Sequence, residues 1–157
     1  LCAFFLFPAL QGCTGWSTDS LIMDGAEKVY VPYFKNDTFY RRLEHDLTYA
    51  VIANINERPD LFLTDEESAD LILTGTVKDF RSIVQSEDRV DRVVESATVI
   101  TVEVQVIRAS DGKLIKEQTL TDLAQYNREE GQTLETAREQ LYKTLSRKIV
   151  ALLEEGF

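Results

Sequence analysis

Histidine occurs once in this sequence, at His45, and cysteine twice, at Cys2 and Cys13. Imidazole and thiolate build most zinc sites and most nucleophile–base pairs, so a chain this poor in both has little from which to make either. His45 lies between Glu44 and Asp46 in a helical pattern and reads as a helix-surface histidine. No Gly-x-Ser-x-Gly elbow, phosphate loop or dinucleotide glycine pattern occurs. Positive charge is also in deficit, with 17 Lys+Arg against 27 Asp+Glu and a formal charge of −10. Contacts to a phosphate backbone need a cationic face, so nucleic acid is not an expected partner. Adsorption to anionic headgroups by charge alone is disfavoured for the same reason. Beyond residue 10 no apolar run approaches the about 20 residues of a membrane span. What the chain does have is 44% hydrophobic residues, enough for the core of one domain.

The most informative stretch closes the apolar run from Leu1 to Leu10: Leu10-Gln11-Gly12-Cys13, with no charged side chain before Asp19. An aliphatic residue three positions before a cysteine, a small one directly before it and a short apolar segment upstream make the pattern of a bacterial secretory signal cut before a lipid-bearing cysteine. Pro8 and the following Gly12-Cys13-Thr14-Gly15 argue against a buried strand. Lipid attachment at Cys13 is therefore favoured over a structural or disulfide role. Cys2 is discarded with the signal, which leaves no second thiol for a disulfide. Two or three acyl chains, each methylene contributing about 0.8 kcal/mol, anchor a domain without a spanning helix. Thr14 rather than Asp follows the cysteine, which points to the outer membrane. Residues 1–12 read as part of a signal whose basic start is expected to precede Leu1, residues 13–27 as a lipidated tether, and residues 28–157 as one domain.

β-Branched and aromatic residues over 28–34 predict a strand, with Pro32 at a sheet edge or at the strand's end. Asn36, Asp37 and Thr38 offer caps. Leu43, Leu47, Ala50, Val51 and Ile55 recur at helical spacing, predicting a helix over 38–57 that Pro59 stops. Residues 60–70 form an acidic connection holding Leu61-Phe62-Leu63. Its carboxylates, Asp65, Glu66, Glu67 and Asp70, lack the ligand spacing and central glycine of a calcium loop, so a solvated loop is expected. Strands follow over 71–84, 97–108 and 113–125, the last two joined by the Ser110-Asp111-Gly112 turn. Gly75 inside the first of them marks a bulge or a close helix approach. Leu134, Ala137, Leu141, Leu145, Ile149 and Leu152 predict a closing helix over 133–154. The order βαβββα predicts an α+β fold, a two-layer sandwich with two helices packed on one face of a mixed four-stranded sheet. A right-handed crossover sets the first two long strands parallel. The Thr/Glu/Gln face is left exposed or available to a partner.

With no catalytic constellation, a binding or assembly role is the default, and no cofactor or metal is expected. The cations best placed for an anionic ligand are Lys78, Arg81, Arg89 and Arg92, around the tip between the second and third strands and amid Ile83, Val84, Val90, Val93 and Val94. Asp79, Glu87, Asp88, Asp91 and Glu95 share the stretch, and an ordinary solvated hairpin explains it as well.

The lipid-attachment pattern, VYVPYFKNDTF leading into a helix, ADLILTGTV after an acidic connection, the SDG hairpin and TLETAREQLYKTLSRKIVALLEE together resemble LptE, a family of outer-membrane lipoproteins of lipopolysaccharide transport. The resemblance covers nearly the whole chain after Cys13. It implies a two-helix, four-stranded sandwich that plugs an LptD-type β-barrel, assists its folding and binds lipopolysaccharide. The partners it implies are that barrel, the glycolipid and the outer membrane through the acyl chains. Lys78, Arg81, Arg89 and Arg92 are then the candidate contacts. The acidic total suits a polar barrel lumen better than capture of an anionic glycolipid. An alternative stays open: V-x-x-F-x-N-x-T, a helix and ADLILTGTV also resemble the TolB amino-terminal domain and the lipoproteins that activate peptidoglycan synthases. Those regulators usually sit on longer tethers, which favours the plug. A lipid-anchored enzyme is disfavoured by the missing catalytic groups.

Overall fold

The computed structural model describes residues 25–87 and 93–154. Its elements are β1 (Lys28–Tyr30), β2 (Lys35–Asn36), α1 (Leu43–Asn56), β3 (Phe62–Leu63), a 3-10 turn at Glu66–Ser68, β4 (Leu71–Glu87), β5 (Val93–Arg108), β6 (Leu114–Asn127) and α2 (Leu134–Glu154). Both helices pack against a mixed sheet, and the strand–helix–strand crossover into β4 is parallel as expected. The sheet has six strands rather than four, in the order β3-β1-β4-β5-β6, with β2 also pairing β4.

Two local causes account for the difference. Pro32 has no N–H to donate, and β1 ends before it. The chain then rejoins the same flank of β4 as β2, pairing Lys35 with Thr76 and Asn36 with Val77. The apolar piece of the acidic connection supplies the other extra strand: Leu61 is buried, Phe62 N–H donates to Glu27 O at 2.8 Å and Thr64 N–H to Val29 O at 3.1 Å. α1 starts at Leu43, the first residue of its apolar spacing, rather than near residue 38, because the candidate caps are engaged elsewhere. Asn36 Oδ1 accepts from Thr38 N–H at 2.9 Å, and its amide donates to Tyr40 O at 2.6 Å and Glu44 Oε2 at 2.7 Å. This closes a turn over residues 38–42 that ends at Arg42 in the left-handed region, φ 72°.

The core lies between the helices and one sheet face. Leu43, Leu47, Val51 and Ile55 of α1 and Leu141, Leu145, Ile149 and Leu153 of α2 meet Leu73, Val77, Ile100, Val102, Val104 and Val106, all at or near zero exposure. Each such side chain contributes about 1.5–3 kcal/mol. The β4–β5 register shifts between Val77 and Asp79, a bulge that accommodates Lys78. Gly75 marks a close approach, as expected, but by the ring of Phe34 from the β1–β2 segment rather than by a helix.

Candidate functional site

With α1 and α2 on one side, the other sheet face has no described element across it. The antiparallel register lines up Thr74–Gln105–Glu117 and Thr76–Glu103–Thr119 there. Gln105 Nε2 donates to Glu117 Oε1 at 2.6 Å, and the Thr101 and Thr121 hydroxyls are 3.1 Å apart. This is a flat array of hydroxyl, amide and carboxylate groups. Towards the β4–β5 tip it becomes apolar, with Arg81 paired to Val99, Val99 to Leu123, and Ile83 and Leu123 nearly half exposed.

Of the four cations expected near that tip, the structure describes two. Lys78 Nζ sits 2.8 Å from Asp37 Oδ2, whose hydrogen bond and charge raise the ammonium's pKa. Arg81 Nε lies 3.3 Å from Asp79 Oδ2. Each already faces a carboxylate of its own chain. Arg89, Arg92 and Cys13 lie outside the described residues. Among the described residues, no group of three or more His, Cys, Asp or Glu could hold a metal ion. No described helix is long and apolar enough to cross a membrane.

A second surface has no counterpart in the sequence reading. Tyr33 stacks on His45, centroids 5.7 Å apart and planes within 13°. Tyr49 meets His45 edge-on at 4.5 Å. The Tyr33 and Tyr49 hydroxyls are 3.3 Å apart, and this shared hydrogen bond raises the pKa of Tyr33. Nearby, Tyr40 stands edge-on to Phe80 at 4.8 Å, and the Arg138 guanidinium lies 5.0 Å from the centre of the Phe80 ring. Phe39 projects fully into solvent. The signal available in the sequence was Phe39-Tyr40 inside an otherwise polar turn, where no apolar periodicity claims them. His45 is a helix-surface residue, as expected, but it is stacked on Tyr33 and met edge-on by Tyr49.

At the end of the sheet where β4 begins and β5 ends, an open cavity of about 860 Å³ is lined by residues including Gly25, Ala26, Asp70, Arg108, Lys113 and Ile115. Asp70 Oδ2 accepts from the Lys28 and Glu27 amides at 3.0 and 3.2 Å, fixing the start of β1.

No curated protein matches the chain. Among solved structures, a hypothetical protein of Chlamydia trachomatis aligns with TM-score 0.61 at 13% identity, over 82% of this chain and 96% of that one. PelC of Paraburkholderia phytofirmans aligns with TM-score 0.59 at 17% identity, over 85% and 90% of the two chains. A protein of Xanthomonas campestris gives TM-score 0.61 at 13% identity, over 82% and 84%. At these identities the likeness is one of fold. The lipopolysaccharide-assembly family model matches residues 26–153, the whole two-layer unit from the approach to β1 to the end of α2, and on that match the chain belongs to the LptE family.

Proposed function

We propose that this protein is a lipid-anchored, non-enzymatic component of lipopolysaccharide assembly at the outer membrane, held by acyl chains on Cys13 and seated in the lumen of an LptD-type β-barrel. The observation that carries this reading, beside family membership, is the bare sheet face of Thr74, Thr76, Thr101, Glu103, Gln105, Glu117, Thr119 and Thr121. The interior of a membrane β-barrel is polar, so a domain that fills it must offer hydrogen-bonding groups rather than a second apolar layer. A formal charge of −10 agrees with a polar lumen better than with tight capture of an anionic glycolipid. Lys78, Arg81, Arg89 and Arg92 belong to the contact with barrel or glycolipid in this proposal. The carboxylate partners of Lys78 and Arg81 favour the barrel.

The test is extraction of native membranes in mild detergent with a tagged full-length chain. A β-barrel recovered in one-to-one ratio is the expected result. A peptidoglycan synthase in its place would support the TolB-like regulator instead, and recovery of no partner would refute the assembly role.

A further inference from the structure

Residues 14–24 lead into the described domain with two charges, Asp19 and Asp24, and four large apolar side chains, Trp16, Leu21, Ile22 and Met23. A linker that only spans distance is built from small and polar residues. Three consecutive apolar side chains directly before a domain need a surface on which to leave water. We infer that Leu21, Ile22 and Met23 dock in the cavity at the end of the sheet where β4 begins, against Ala26, Leu71, Leu114 and Ile115, so that part of the tether folds onto its own domain. This docking needs no barrel partner.

The point of entry carries the argument. Gly25 and Ala26 are themselves part of the cavity wall. Behind them the chain is fixed from both sides, since Asp70 Oδ2 accepts from the Glu27 and Lys28 amides and Glu27 O accepts from Phe62 N–H at 2.8 Å. Gly25 has φ 72°, a left-handed turn that glycine adopts without cost, set at the lip of the cavity. Met23 is two residues ahead of Gly25 and Leu21 four, so their Cα atoms lie within about 7 and 14 Å of it. Chain length alone therefore keeps all three beside the cavity.

The wall suits them. Leu71 belongs to the core, Ala26 and Ile115 pack against it, and Leu114 stands nearly half exposed. A volume of about 860 Å³ is within the ~300–1,000 Å³ of cavities that enclose a drug-sized ligand, room enough for three aliphatic side chains. Charge makes no selection here, because Glu66 and Glu67 balance Arg108 and Lys113 on the lining and Asp70 is committed to two amides. Connectivity selects instead: a segment joined through so few residues has an effective concentration in the millimolar range, which a second copy or a ligand from solution must exceed. If Cys13 carries lipid, docking leaves eight residues between it and Leu21, a reach of about 30 Å. That holds this end of the sheet next to the leaflet, rather than the β4–β5 tip, which lies 16 residues along β4 at about 3.3 Å each.

The experiment uses the mature chain with and without its lipid, in detergent. A photo-crosslinking residue replaces Ile22 and the products are mapped by mass spectrometry; separately, thermolysin cleavage at residues 21–23 is timed in the wild type and in Leu114→Glu. Leu114 is exposed, so unchanged thermal unfolding is the folding control, and the crosslink is read with the wall intact. Crosslinks within one chain to residues 66–71 or 108–115, unaffected by dilution and by removal of the lipid, are expected, together with cleavage at least tenfold faster in Leu114→Glu. Crosslinks that reach only detergent or lipid would overturn the docking and give the segment to the membrane surface. Crosslinks to a second copy that vanish on dilution would overturn the choice of occupant. Wild-type cleavage of Leu114→Glu would overturn the role of the wall. None of these outcomes touches the barrel-plug reading, which the recovery of a barrel tests.

Discussion

Phe34, between β1 and β2, ties that segment to two elements: its ring rests against Gly75 of β4, and its amide donates to Thr48 Oγ1 of α1 at 3.0 Å. A Cβ at position 75 would overlap the ring, and both side chains belong to a close-packed interior. Gly75→Ala is therefore expected to destabilise by about 1–3 kcal/mol in urea unfolding. Combined with Phe34→Leu, it should cost less than the sum of the two single changes. Thr48→Val removes the acceptor of a buried N–H and should cost about 1–3 kcal/mol in the same assay. Tyr142 is buried in α2 with its hydroxyl unpaired, and burial pushes its pKa up from 10.0 to about 12. The folded protein thus keeps a proton that the unfolded chain releases above pH 10. The associated stability is complete below that pH and is lost as pH rises towards 12. Tyr142→Phe should flatten the decline of stability over this alkaline window, as read by thermal unfolding across pH, with little change at pH 7.

Element by element, legibility followed length and repetition. α2 could be read almost to its ends because Leu141, Leu145 and Ile149 repeat at helical spacing, and the structure buries all three completely or nearly so. β5 was legible for the same kind of reason, with Val102, Val104 and Val106 alternating against Glu103 and Gln105. β2 and β3 are two residues each, too short for any period, and they exist only because β4 and β1 offer them an open edge. The start of α1 was misplaced because Asn36 and Thr38, good caps by type, hold a turn instead. The site suffered most. Lys78 and Arg81 were singled out by charge, yet their carboxylate partners came from pairing that charge alone does not reveal. Tyr33 and Tyr49 were read as a strand former and a helix residue, and their meeting depends on α1 folding back over the β1–β2 segment. The stripe of α2 gives a direct check: Leu145→Ala should destabilise by about 2–5 kcal/mol by denaturant unfolding. Glu139→Ala, on the exposed side of the same helix, should stay within about 0.5 kcal/mol.

For the molecule as a whole, the balance of charge and hydrophobicity bears on the proposed lipid attachment. A domain of net charge −10 is repelled by anionic headgroups, and no described helix is long and apolar enough to cross a bilayer. Family membership in lipopolysaccharide assembly nevertheless implies work at a membrane. The proposed acyl chains on Cys13 resolve this, since two or more chains supply the stable anchoring that one does not. The described domain begins at Gly25, and a residue spans at most about 3.6 Å, so the proposed anchor would keep the start of that domain within about 40 Å of its leaflet. That reach confines the domain to partners in or beside the same membrane. Attachment through lipid can be separated from attachment through a barrel by using vesicles of phosphatidylglycerol and phosphatidylethanolamine that contain no protein. The purified lipidated chain should float with such vesicles at low and high salt, and Cys13→Ala should remain at the bottom of the gradient. Flotation of Cys13→Ala at low salt that is lost at high salt would transfer the attachment to charge, against the sign of the whole domain; flotation at both would transfer it to exposed apolar groups such as Phe39.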